Sequence, residues 1–284
     1  MTAELARDPR QWAANARVAH ESLRGQVDGQ RLVAGEPCRI GVALADLRDG
    51  PAGRRERQLH YGAQFLVLER AGGMAFGFAR HDGYVGYLPE ADLGADQPAS
   101  HWVSAPASHL YAAPDIKRPE VVALSLGARL CVVAEVNERF VQTDQGLYAL
   151  RPHLSPLGQW AADPVAVALA FVGAPYLWGG NSRNGIDCSG LVQAAHLACG
   201  IDCPGDSDQQ QAALGAALPE AEPLRRGDLL FWAGHVALCI SGTDLVHAAG
   251  YFMQVRVEPI ATVVARNIAL GAGPVTGRRR LAPT

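Results

Sequence analysis

From about residue 34 to residue 93, apolar and polar residues alternate in short runs. Residues 39–44, 64–69 and 74–79 predict strands separated by turns bearing Gly, Asp and Pro, and Asp82-Gly83 is a turn signal before Tyr84-Val85-Gly86-Tyr87-Leu88-Pro89. So many short strands in about 60 residues predict a small β-barrel. A second stretch of the same texture has strand candidates at 105–110, 129–136, 140–143 and 146–150. Ser125-Leu126-Gly127-Ala128 stands before its strand as His60-Tyr61-Gly62-Ala63 does, so the two stretches read as divergent copies of one barrel. Ahead of them, Trp12, Ala16, Ala19 and Leu23 have the spacing of a weak amphipathic helix in a polar N-terminal arm.

After a linker at 152–164 the period changes. Residues 164–172, 188–199 and 208–214 read as helices, and 228–232, 235–241 and 244–248 as successive strands. Helices followed by a run of strands predict an α+β domain with an antiparallel sheet. The expected organisation is an arm at 1–33, barrels at 34–97 and 98–155, and the α+β domain at 156–284.

Composition narrows the classes. In 284 residues, 49% are hydrophobic, which excludes a largely disordered chain. Lys+Arg 25 against Asp+Glu 28 leaves a net charge of −3, without the basic excess of a nucleic-acid binder. The longest apolar stretch, 165–178, is broken by Gly173 and Pro175, so no membrane association is expected. The six cysteines form no disulfide framework and the first ten residues lack an apolar signal core, so the expected location is cytoplasmic.

The chemistry concentrates after the linker. In Asn184-Gly185-Ile186-Asp187-Cys188-Ser189-Gly190, a Gly-rich loop gives way to an apolar helix. Asp187 can cap that helix, which places Cys188 in the first turn, where free N–H groups and the helix dipole favour a thiolate nucleophile. A base is available downstream, since His235 and His247 each lie in an apolar strand candidate. Paired antiparallel, those strands bring the two imidazoles together, His235 as base and His247 as the group that orients it.

These motifs are Pro175-Tyr176-Leu177-Trp178-Gly179-Gly180, Asp187-Cys188-Ser189-Gly190, Asp206-Ser207 with Gln210, Arg226-Gly227-Asp228, Gly234-His235-Val236-Ala237 and Leu245-Val246-His247-Ala248. In order and spacing the set resembles the NlpC/P60 cysteine peptidases of bacterial cell-wall peptides, over about 164–269. The resemblance implies a papain-like α+β core with Cys188, His235 and His247 as the catalytic set and no cofactor or metal. With two SH3-like barrels upstream, the chain is similar to γ-D-glutamyl-L-diamino acid endopeptidases. Their substrate would be a small murein peptide, L-Ala-γ-D-Glu-diamino acid, with a free N-terminus.

By the same resemblance, Asp187 would hold the substrate ammonium, Ser189 and Ser207 would place its first two residues, and Tyr84 and Glu56 would be contacts from the first barrel. Each has a plainer reading: a helix cap for Asp187 and Ser207, barrel packing for Tyr84, a solvated charge for Glu56. Pro204-Gly205-Asp206 departs from the Pro-Arg-Asp of many relatives. A binding protein with a degenerate peptidase domain, or an amidase or acyltransferase on the same core, remains the alternative. Cys199 and Cys203 with His196 lack a second ligand cluster for zinc, and Arg278-Arg279-Arg280 reads as a solvated tail.

Overall fold

The computed structural model describes residues 7–282. The chain divides into two compact units. The first holds everything before Trp102, together with His109–Leu124 and Ala128–Ala149. The second holds Trp102–Ser108, Ser125–Gly127 and the chain from Leu150 onward.

In the first unit a seven-stranded sheet runs in the order Arg55–His60, Leu44–Arg48, Val85–Pro89, Met74–Ala79, Gln64–Ala71, Glu36–Ile40, Leu93–Ala95. Alternation sets its inner face: Ala45 and Leu47 point in with Ile40, Leu59, Phe65 and Leu88. Gly77 is required where two strands meet closely, because a Cβ there would lie 2.0 Å from the Leu66 carbonyl oxygen. A five-stranded sheet follows, ordered Glu120–Ser125, Ala107–Tyr111, Tyr148–Leu150, Phe140–Thr143, Val132–Glu135.

The two β-rich modules share local devices. Gly62 and Gly127 both have positive φ, +73° and +90°. Each donates its N–H to the last residue of an earlier strand, Ile40 and Val103 respectively. Each module also ends in a strand, a 3₁₀ turn and a further strand, with turns at Glu90–Asp92 and Arg151–His153.

The arm departs from expectation. Val18–His20 is a strand paired in parallel with Arg31–Val33, not part of a helix. The Asn15 side chain accepts from the Arg17 and Val18 N–H groups and turns the chain there. Val18 then packs with Leu68, Phe76 and Val85 on the outer face of the first barrel. Burial against a preformed sheet outweighs a weak helical spacing.

The second unit is a layered α+β domain. Its strands are β1 (Ala216–Ala217), β2 (Leu229–Trp232), β3 (His235–Cys239), β4 (Asp244–Ala249), β5 (Gln254–Pro259) and β6 (Gly277–Arg280), in the spatial order β1-β6-β2-β3-β4-β5, all antiparallel. Helices α1 (Pro164–Leu169) and α2 (Cys188–Leu197) cover one face through Val165, Ala168, Leu191, Val192 and Ala195, against Phe231, Val236, Leu238 and Val246. After α3 (Ser207–Ala213), α4 (Ile260–Ala269) covers the other face, with Val263 against Leu230, Trp232 and Leu245. The expected solvated tail is corrected: Gly277–Arg280 is the strand between β1 and β2. Arg280 binds buried Asp228, and Arg278 donates to the carbonyls of Pro219, Glu220 and Glu222. No helix among the described residues is long and apolar enough to cross a membrane.

Candidate active site

The Gly-rich loop locks the start of α2. Asp187 is the N-cap: its Oδ1 accepts from the Gly190 N–H at 2.6 Å and the Ser189 hydroxyl at 3.1 Å, and its Oδ2 from the Gly179 N–H at 2.9 Å. Gly190 must be glycine, since a Cβ would sit 2.5 Å from Asn181 Oδ1 and 2.6 Å from the Gly180 carbonyl oxygen. Buried Gln210 of α3 donates to the carbonyls of Ser189 and Pro204, tying the second helix to the third. Ser207 is the first helical residue of α3, with Asp206 at the cap position.

Cys188 therefore sits at the first position of α2, 7% exposed. Its Sγ is 4.0 Å from the Gly234 carbonyl oxygen, against the turn that leads into β3. Burial, and secondarily the charge of Asp187, push the thiol up to about 12. The N–H groups of Val236, Ser189 and Cys188 point at the sulfur and act in the opposite direction.

The two-residue turn Ala233-Gly234 joins β2 to β3, with Gly234 at φ +71°, and pairs Trp232 with His235. Pairing of β3 with β4 then sets His235 beside His247: His235 Nε2 and His247 Nδ1 are 2.9 Å apart. Burial, then the neighbouring His247 and Arg266, push His235 down to about 3. Burial lowers His247 as well. Both shifts favour the neutral forms of the Cys188 thiol and the His235 imidazole.

The chain of contacts continues beyond the residues that the sequence singles out. His247 Nε2 is 3.0 Å from Glu258 Oε2, and Arg266 of α4 grips both Glu258 oxygens at 2.8 Å. A hairpin signal could have found Glu258. The alternation of Val255-Arg256-Val257-Glu258 pairs His247 with Arg256 and makes Glu258 its diagonal neighbour. Tyr176 also belongs here: burial raises its phenol, as do the charges of Cys188 and Asp187 close by.

The structure brings together Cys188, His235 and His247, with Asp187 and Ser189 at the same helix start. Two other expected site residues lie in the first unit. Tyr84, 2% exposed, packs in the first barrel's core, with the Arg57 guanidinium 5.2 Å from its ring centre. Glu56 is half-buried in the strand Arg55–His60. Among the described residues no group of three or more His, Cys, Asp or Glu is placed to hold a metal.

Comparison with known proteins fits this geometry. The NlpC/P60 family model matches residues 173–272, which include the loop, α2 and the strands of both histidines. The chain contains an NlpC/P60 domain. A model described as a bacterial dipeptidyl-peptidase Sh3 domain matches 47–93, within the seven-stranded sheet. The chain is 32% identical over 184 residues to a gamma-D-glutamyl-L-lysine dipeptidyl-peptidase of Bacillus subtilis, covering 58% of this chain and 60% of that one. It is 27% identical over 207 residues to the protein of the same description in Bacillus cereus, covering 64% and 61%. The chain thus spans about 60% of the length of these two curated relatives. A crystal structure of an NlpC/P60 family protein from Bacillus cereus shares the fold, with a TM-score of 0.74 at 22% identity, covering 87% of this chain and 100% of that one. The α+β class with an SH3-like N-terminal module, expected from the sequence, holds.

Proposed function

We propose that this chain is a cysteine endopeptidase that hydrolyses the bond between γ-D-Glu and the diamino acid in free murein peptides with an unblocked N-terminal L-Ala. The observation that carries the reading is Cys188 at a capped helix start, against the turn that presents the hydrogen-bonded pair His235 and His247. Similarity to the two Bacillus gamma-D-glutamyl-L-lysine dipeptidyl-peptidases supports the γ-D-glutamyl specificity.

His235 takes the proton of Cys188 as sulfur attacks the γ-D-Glu carbonyl. Helix-start N–H groups beside Cys188 face the developing oxyanion, and the Tyr176 hydroxyl is close by. His235 then protonates the departing amine, and water resolves the thioester. Asp187 supplies the negative charge for the substrate ammonium, and Ser189 and Ser207 supply hydroxyls for its first residues. A role in peptide recycling in the cytoplasm belongs to the same proposal. The six cysteines are all thiols, as suits a reducing compartment.

Mass spectrometry of L-Ala-γ-D-Glu-meso-diaminopimelate incubated with the protein tests the reading. Release of the dipeptide from this substrate, and not from its N-acetylated form, is expected. Cleavage of both keeps the peptidase and removes the ammonium clamp. Tight binding of both without cleavage favours the binding protein.

The pH profile follows from the neutral pair. His235, lowered to about 3, keeps its lone pair through the weakly acid range, and Cys188, raised to about 12, keeps its proton in weak base. We expect kcat at saturating peptide to stay flat from about pH 5 to about pH 9, while kcat/KM falls above roughly pH 8 as the free peptide's own α-ammonium loses its proton. A resting thiolate–imidazolium pair would instead lose activity as the imidazolium deprotonates, giving a falling limb in kcat above roughly pH 8. Steady-state kinetics over that range separate the two.

A further inference from the structure

The tautomer of the proposed base is fixed two hydrogen bonds away from it. Glu258 is 7% exposed, and the bidentate contact with Arg266 holds it as a carboxylate. A carboxylate can only accept, so His247 must donate from Nε2 across the 3.0 Å contact. Burial first, then the charges of Arg266 and of Arg256, which pairs with His247 across β4 and β5, outweigh the pull of the Glu258 carboxylate toward an imidazolium and favour the neutral ring at 247. A neutral ring with its proton on Nε2 has a lone pair on Nδ1, and Nδ1 is the atom facing His235 Nε2 at 2.9 Å. His235 must therefore donate from Nε2, which leaves its Nδ1 lone pair as the site that can accept the Cys188 proton.

We infer that Glu258 is a positioning residue: anchored by Arg266, it sets the tautomer of His247 and through it that of His235, so that the base always presents an unprotonated Nδ1. This rests on the peptidase reading only for the consequence in turnover. The tautomers themselves exist without substrate. Arg266 also lies over the rings of Tyr251 and Phe252, at 5.2 and 5.0 Å, which further restrains the anchor.

Glu258→Gln inverts the relay at nearly constant shape. Arg266 only donates, so it captures the amide oxygen and turns the amide NH2 toward His247. His247 Nε2 must then accept and Nδ1 carry the proton, and the base is left protonated on Nδ1.

The experiment is long-range ¹H–¹⁵N NMR of full-length protein labelled at histidine, near pH 7.5, with kinetics on the same samples. In the wild-type protein His235 and His247 are both expected to carry the proton on Nε2. In Glu258→Gln both move to Nδ1. kcat then falls on the order of 10²-fold with KM within about twofold, because the loss is in proton transfer rather than binding. Glu258→Asp, which keeps the acceptor, recovers most of the rate and the Nε2 tautomer.

A wild-type His235 protonated on Nδ1 overturns the proposal, and that result stands even if the variants fail to fold. So does a folded Glu258→Gln protein with wild-type tautomers and kcat. If no murein peptide is cleaved, alkylation of Cys188 by iodoacetamide replaces turnover. Nε2 tautomers with a slowed Gln variant then uphold the relay while the substrate assignment fails.

Discussion

Cys188→Ala is expected to lower tripeptide hydrolysis at least about 10⁴-fold, the scale on which nucleophile removal acts when no second group can form the covalent intermediate. Cys188→Ser should recover little of that rate. A serine hydroxyl in the same 7% exposed pocket is a far weaker acid than a thiol, and burial disfavours its anion further. The fold survives, because Sγ is a small part of a core built by Leu191, Val192, Val236 and Leu238. Loss of the sulfur costs about 1 kcal/mol. Cys239→Ala is the matched control. That thiol is fully buried among Leu230, Trp232 and Leu245 and is likewise pushed up to about 12 by burial. Its removal should cost similar stability and leave kcat unchanged. Hydrolysis rates with urea melts on the two variants separate nucleophile from filler; equal activity in both would remove Cys188 from the mechanism.

The helix start that carries Cys188, the proposed nucleophile, was legible because its signal is local. A cap, a small residue and an apolar 3.6-residue period all fall within ten positions, and α2 begins at Cys188 as that pattern requires. The histidines were legible because each lies in a short apolar strand, and antiparallel pairing of those two strands puts both imidazoles on one face. Glu258 was not, for its role depends on the register of a further strand, set by the connection 250–253 in which Met253 takes φ +53°. A one-residue slip there would turn Glu258 to the other face. The arm failed for the complementary reason: four residues at helical spacing weigh less than a sheet face offering Leu68, Phe76 and Val85 to Val18. Strand Arg55–His60 was hidden by four charged or amide side chains that it buries in whole or part, Arg55, Glu56, Arg57 and Gln58. Its hydrophobic alternation is weak, although it pairs with all of Leu44–Arg48 through a bulge at Glu56.

The arginine cluster at 278–280 gives the second large effect, on stability rather than turnover. Asp228 is 1% exposed at the start of β2. Its two oxygens take Arg280 Nε and Nη2, each at 2.7 Å, and Oδ2 also takes the Arg225 N–H at 2.8 Å. Asp228→Ala therefore strands a backbone N–H and leaves Arg280 inside the sheet without its counter-charge. Breaking a buried bidentate pair from one side costs about 3 kcal/mol. With a urea m-value of about 3 kcal/mol per molar, the unfolding midpoint of the α+β domain should fall by about 1 M. Asp228→Asn, which keeps the shape and one acceptor, should lose roughly half as much. A solvated tail would show no more than about 0.5 kcal/mol for either change, so the size of the shift reports whether β6 is part of the sheet. The same variants should keep kcat while folded, because Asp228 precedes β2 and only the far end of that strand pairs with His235. A fall in kcat without a shift in midpoint would instead mean that the C-terminal strand acts on the base directly.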